Sequence, residues 1–155
     1  MQIRKAAEKD LGILAGFWYE EEKMHKKFDK TSVLRKDAKK KIYNFLKSNI
    51  NKNNFAAFIA QFNGVIVGVI QGEIKKAYFT CNPALIGHCG TIFVKNEYRE
   101  RGIATELFKS IVKWFKSKKV KTLSLYTHCK NNDAIDFWKN AGFKESMVLM
   151  KKVLR

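Results

Sequence analysis

The chain has 155 residues, 46% of them hydrophobic, which is ample for one core and makes a second domain unexpected. Its 31 basic residues against 14 acidic ones give a formal net charge of +17, so nucleic acid, an anionic membrane surface or a phosphorylated ligand must be considered as partners. Only five of the basic residues are arginine and the lysines are dispersed, the ordinary pattern of a solvated surface, so nucleic acid is possible but not favoured.

The opening "MQIRKAAEKD" has no apolar h-region, and no run approaches the roughly 18 apolar residues that would span a membrane. Cys81, Cys89 and Cys129 form no C-x-x-C pair, and an odd count without a leader fits free thiols in a reducing compartment. A cytoplasmic protein without a membrane segment is expected.

Residues 2–5 read as a short strand. Glu8 to Asp10 then start a helical pattern in which Leu11, Leu14, Phe17 and Trp18 recur at three- and four-residue spacing. A second helix is expected over about 33–48, with Val33, Leu34, Ala38, Ile42, Phe45 and Leu46 on one face. The period then falls to two. "FAAFIAQF" and "VIVGVIQGEI" flank Asn63-Gly64, the dipeptide that best accepts a type I′ hairpin turn.

A loop carrying the only proline, Pro83, leads to "CGTIFV" over 89–94, which reads as a buried strand. From Ile103, the residues Leu107, Ile111, Trp114 and Phe115 fall at helical spacing, and "KSKK" places positive charge where the helix C-terminus favours it. "KTLSLYTH" returns to period two. A short helix over about 133–141 and a last strand over about 145–153 complete the pattern. The order β-α-α-β-β-β-α-β-α-β predicts one mixed α/β domain over 1–155, with a strand-helix-strand crossover joining parallel neighbours.

The turn "YRERGIA" between the 89–94 strand and its helix carries the clearest chemistry. Amides of a first helical turn have no partners within the helix and point outward together, which makes an anion site. Gly102 lets the backbone approach a bulky anion, Ala104 is too small to block it, and Arg99 and Arg101 add positive charge at the rim. An ordinary βα loop with solvated arginines would look similar in so short a window. The Walker pattern and the dinucleotide G-x-G-x-x-G pattern are both absent.

"TIFVKNEYRERGIATELF" resembles the acyl-coenzyme A motif of the GNAT superfamily of N-acetyltransferases, [R/Q]-x-x-G-x-[G/A], with Arg99, Gly102 and Ala104 at the key positions. "NNDAIDFWKNAGF" resembles a second block of that family through Asn131, Ala134, Phe137, Gly142 and Phe143, and two motifs in the right order are more specific than either alone. The resemblance implies a single-domain α/β GNAT-like mixed sheet, largely antiparallel, with flanking helices and a splayed parallel pair made by its fourth and fifth strands, "CGTIFV" and "KTLSLYTH". It also implies acetyl transfer from acetyl-CoA, as cosubstrate, directly to a primary amine of a small molecule, peptide or protein. Backbone amides of Arg99, Glu100, Arg101, Gly102, Ile103, Ala104 and Thr105 would hold the pyrophosphate. Ile92, Phe93 and Val94 would pair with the pantetheine arm, with Asn131 nearby, and a homodimer would be unsurprising.

Direct transfer needs a neutral amine, hence a proton acceptor. His88, six residues before Val94, resembles the family position of a general base; an ordinary half-exposed histidine at the strand entrance is the plain alternative. The family usually protonates the leaving thiolate with a tyrosine, and here that position is Trp138, whose indole is no practical acid. Tyr126 and Cys129 are weak substitutes. The dipeptides His88-Cys89 and His128-Cys129 hint at zinc, but adjacent strand residues face opposite ways, so no metal is expected.

Trp18, Tyr19 and the carboxylates Glu20 to Glu22, with Glu22 foremost, are candidates to line an acceptor site, as is Glu73; the carboxylates could equally pair with Lys23, Lys26 and Lys27. The competing class is a non-catalytic module on the same fold that binds coenzyme A or nucleic acid, favoured by Trp138 and the net charge and opposed by the intact turn and His88.

Overall fold

In the computed structural model, which describes residues 1–31, 33–78, 80 and 82–154, the period-two segments assemble into one sheet. Its strands are β1 (Gln2–Lys5), β2 (Phe55–Phe62), β3 (Val65–Lys76), β4 (Leu85–Val94) and β5 (Leu123–Ser124), and they lie in that order. β1 to β4 are antiparallel neighbours, while β5 runs parallel to β4. Phe62 pairs with Val65, so the β2-β3 loop is the two residues Asn63 and Gly64, with φ of 48° and 79° as a type I′ turn requires.

The helices are α1 (Leu11–His25), α2 (Ala38–Asn49), α3 (Ile103–Ser117) and α4 (Asn132–Asn140). A 3-10 turn at Glu8–Asp10 leads into α1, where Asp10 takes two bonds of 2.8 Å from the Arg4 guanidinium and one of 2.9 Å from the Ala7 amide. Asp10 is 3% exposed, and the Arg4 guanidinium holds its carboxyl below the usual range. This ion pair fixes where the chain leaves β1 for α1.

Strand alternation divides the core in two. Phe55, Ala57, Ile59 and Val69 meet Leu11, Leu14, Phe17 and Leu46 of α1 and α2. Ala56, Ala60, Val67 and Ile70 meet Ile103, Leu107, Ile111 and Phe115 of α3 on the opposite face. The rings of Phe108, Trp138 and Phe143 tie α4 to α3.

Four expectations change. The second helix starts at Ala38: the chain turns over Arg35 to Asp37, whose side chains pair at 3.1 Å, and Val33 is 86% exposed. Asp37 is a better helix opener than Val33 because its carbonyl takes the first helical bond, from Lys41, and aspartate suits that position. β4 begins at Leu85 and β5 shrinks to two residues. The strand expected over 145–153 is absent; Met147, Val148, Leu149 and Met150 are each about four-fifths exposed or more. Alternation confers only a propensity, and two residues of β5 offer too little edge for a further strand to pair with. The segment is instead tied by Lys151, 2.6 Å from Asp29.

Among the described residues no helix is long and apolar enough to cross a membrane. Cys89 is a buried free thiol and Cys129 an exposed one; Cys81 lies outside the described residues.

Candidate functional site

β4 carries the site because it loses a neighbour halfway along. β5 pairs with it only at Gly87 and His88, and the Gly87 amide donates to Thr122 O at 2.9 Å. Beyond His88 no ladder pair joins the two strands among the described residues. The Lys95 amide donates to Val67 O on β3, so alternation turns the Phe93 amide toward β3 and those of Ile92 and Val94 toward the open edge.

The open edge leads into the turn. A 3-10 turn, Asn96–Tyr98, precedes Glu100 and Gly102, whose φ of 59° and 73° are both left-handed. α3 makes its first bond from Glu106 N–H to Gly102 O at 3.1 Å, so the amides of Ile103, Ala104 and Thr105 lie outside the helical ladder. A Cβ on Gly102 would meet nothing within 4 Å; the open space lies where an anion can approach. The Arg99 amide is spent on Asn96 O at 3.2 Å and does not join this set.

The arginines are less free than the sequence implies. Arg99 turns back, its Nε donating to Val94 O at 3.0 Å and its guanidinium lying 5.7 Å from the Phe93 ring centre beside Met24. It buttresses the strand end. Arg101 lies over the Tyr98 ring at 5.6 Å, on the exposed side of the turn.

On the other side of β4, α1 faces a polar patch. The pairs Gly72–Cys89 and Ile70–Ile92 leave Gln71 opposite both Gly90 and Thr91, a bulge that re-aims the strand. Gln71 donates to the Thr91 hydroxyl at 3.1 Å, and both side chains are buried. Thr91 and Ile92 of β4 lie beside Glu21 of α1, and as nearby donors both favour its ionised form. Burial pushes the Glu21 carboxyl up to about 8, against the pull of those two donors, and Glu22 adds to the rise.

His88 alternates with Gly87 and Cys89, which abut α3, and so faces the α1 side as well. Its Nδ1 is 3.4 Å from Ser124 Oγ, its ring centre is 5.2 Å from that of Tyr126, and Glu73 is its partner across the ladder. Burial, and then Lys75, lower its pKa, while Glu73 opposes them, so the imidazole is neutral at pH 7. Glu73 pairs with Lys75 at 2.8 Å.

The carboxylate run of α1 splits three ways. Glu20 pairs with Lys23 at 2.8 Å and lines a cavity of about 460 Å³ with Phe17, Phe93 and Lys95; Glu21 turns in to β4; and Glu22 accepts from the Trp18 indole at 3.3 Å. Trp18 packs on Phe45 of α2, and Tyr19 lies under Lys23 at 5.6 Å. Asn131 caps α4, accepting from the Ala134 amide at 3.3 Å. Trp138 is 6% exposed and wedged among Phe108, Phe137 and Phe143, a core position. Among the described residues no group of three or more His, Cys, Asp or Glu side chains converges as a metal site.

Residues 17–143 match the model of the acetyltransferase (GNAT) family. The chain belongs to that family. An N-alpha-acetyltransferase of Sulfurisphaera tokodaii is 31% identical over 112 residues, which are 69% of this chain and 67% of the relative. An aminoglycoside N(6′)-acetyltransferase type 1 of Salmonella typhimurium is 26% identical over 98 residues, 63% of this chain and 68% of the relative. The chain thus aligns with about two-thirds of these relatives' length. Among solved structures, an aminoglycoside N-acetyltransferase in complex with CoA superposes with a TM-score of 0.76 at 20% identity, covering 99% of this chain and 94% of that one. The expected GNAT architecture, a single mixed sheet with a parallel β4-β5 pair and flanking helices, is the one observed.

Proposed function

We propose that the chain transfers the acetyl group of acetyl-CoA directly to a primary amine of a small molecule, peptide or protein. The observation that carries this reading is the continuity of the open β4 edge with the unpartnered amides of α3. An extended arm with amide groups pairs along such an edge as an added strand would, and the pyrophosphate then meets the helix N-terminus. Ile92 to Val94 take the arm, and Gly102 to Thr105 take the phosphates.

The acceptor comes from the α1 side, where the polar groups of β4 collect. Curated relatives are named for an α-amine and for an aminoglycoside amine, and both are amines. His88, neutral at pH 7, is a candidate proton acceptor there, and Tyr126 beside it is a candidate proton donor to the departing thiolate. Glu20 at the cavity and Glu73 opposite His88 bring carboxylates to this side, and a cationic amine would take the place of the lysines, Lys23 and Lys75, that now pair with them.

A panel of amines, from dipeptides and polyamines to aminosugars, incubated with acetyl-CoA and followed by release of free thiol tests the reading. Thiol release that saturates with one class of amine is expected. No release with any amine, in a protein that binds acetyl-CoA, would overturn catalysis and leave a coenzyme A binding module.

A further inference from the structure

The chain that leaves β5 runs past the opened stretch of β4. Ser124 pairs with His88, so counting four residues on from that pair brings His128 level with Ile92 across the gap. Tyr126 lies against His88, and His128 stacks on Phe28, just past the end of α1, so both rings project to the α1 side. The Phe28 and His128 ring centres are 5.5 Å apart, with 23° between the planes. Four residues earlier, Met24 Sδ is 3.7 Å from the Arg99 guanidinium, which braces Val94. The end of α1 thus reaches from the β4 wall of the gap to the β5 wall.

The His128 imidazole is oriented by its own chain. The Lys130 amide donates to Nδ1 at 3.1 Å, and this assigns the proton of the neutral ring to Nε2. That N–H has no acceptor among the described residues. With one face of the ring against Phe28 and Nδ1 held, Nε2–H is a fixed donor beside the gap. Other donors near β4 are engaged elsewhere: Arg99 at Val94 O, and Trp138 enclosed by Phe108, Phe137 and Phe143. Tyr126 stands two residues short of the Ile92 level.

We infer that the Nε2–H of His128 meets the thioester sulfur and holds the thiolate as it leaves. The inference rests on the acetyltransferase reading and adds a catalytic residue to it. An arm that runs along Val94 to Ile92 from phosphates at α3 ends, with its thioester, at the Ile92 level. The neutral amine nitrogen attacks the carbonyl carbon, the N–C bond forms, and the C–S bonding pair passes to sulfur. A hydrogen bond aimed at that growing charge lowers the barrier, because it is stronger to thiolate than to thioester. The nitrogen gives its surplus proton to His88 or water, and the thiolate takes one from water to become the coenzyme A thiol. His128 keeps its own proton throughout.

The test compares wild type with His128→Phe, His128→Gln and Tyr126→Phe in steady-state turnover, with folding followed by circular dichroism and acetyl-CoA affinity by calorimetry. His128→Phe keeps a ring against Phe28 but loses the N–H, and should lower kcat roughly ten- to a hundredfold with acetyl-CoA affinity within about threefold. His128→Gln loses the stack but keeps an N–H donor, and should stay within about fivefold of wild type. A merely structural role reverses that order. Tyr126→Phe should cost less than His128→Phe. A second measurement needs no turnover: ultraviolet difference spectra of bound coenzyme A against its desulfo analogue read the thiolate directly. The bound thiol should ionise at a pH about one lower in wild type than in His128→Phe or His128→Ala, a tenfold change. If His128→Phe keeps its kcat, if His128→Gln or Tyr126→Phe falls further than it does, or if the bound thiol ionises alike in all these proteins, while wild type acetylates an amine, the assignment fails and the acetyltransferase reading stands. If wild type releases no thiol with any amine, that reading fails and the catalytic role of His128 falls with it.

Discussion

The turn after β4 and the surface that α1 lays over β4, the two halves of the proposed site, are built from different materials. The turn works through the backbone: three amides outside the α3 ladder, two left-handed residues and an open space over Gly102. The α1 side works through side chains brought from four distant stretches, with Glu21 meeting Thr91, Thr91 meeting Gln71, and His88 meeting Ser124 and Tyr126. The backbone site tolerates wide sequence change provided the turn survives. The side-chain site can be retuned one residue at a time, which suits a family whose relatives bear names for different amines.

The largest effect should come from breaking the backbone half. Gly102→Glu places a side chain at φ 73° and a negative charge at the proposed phosphate site, and should weaken acetyl-CoA about a hundredfold, some 3 kcal/mol, in calorimetry on folded protein. Undiminished affinity would remove the turn from the cofactor site.

His88→Ala attacks the side-chain half. It should cut turnover about tenfold with acetyl-CoA affinity unchanged, if His88 helps carry the proton. The wild-type rate should fall as pH drops below the ordinary histidine range, because the lowered pKa keeps the ring neutral above it. An identical pH profile in the variant would leave His88 as a packing residue.

Glu21→Gln probes the surface that α1 lays over β4 through stability. The Glu21 carboxyl titrates higher in the folded chain than in the unfolded one, so its favourable contribution is full below the ordinary carboxyl range and is lost as pH rises through about 8. At about pH 9 the variant should therefore melt roughly 5 °C above wild type, and at about pH 4 the gap should close. Equal melting curves at alkaline pH would mean that the carboxyl is not held in a low-dielectric setting.

Arg101→Ala should do least. Its guanidinium is on the exposed side of the turn over Tyr98, so acetyl-CoA affinity should fall about threefold in dilute buffer and less in high salt. A loss as large as that of Gly102→Glu would show that side-chain charge, not backbone amides, holds the phosphates.

The turn was legible because everything it needs is contiguous. Gly102 and the start of α3 lie within a few residues of one another, and local steric rules link them directly. The Asn63-Gly64 hairpin was legible for the same reason. Reading failed where a neighbour decides: residues 145–153 alternate like a strand yet find no edge, and Val33 and Leu34 fit the helical period yet lie before the turn at Asp37. At Glu20 to Glu22 three identical residues stand in a row, and nothing local says which one faces β4. Helical rotation of about 100° per residue, together with the docking of α1 on the sheet, turns the middle one inward.

By itself, then, the sequence determined the order of elements from β1 to α4, the hairpin and the unpartnered amides ahead of α3, since those follow from patterns within a few residues. Only the tertiary structure decided that β5 parts from β4 after His88, that Arg99 braces Val94, and that Glu21 meets Thr91 and Ile92. Those outcomes depend on desolvation and donor geometry between groups that only the packed chain brings together, whatever their separation in sequence.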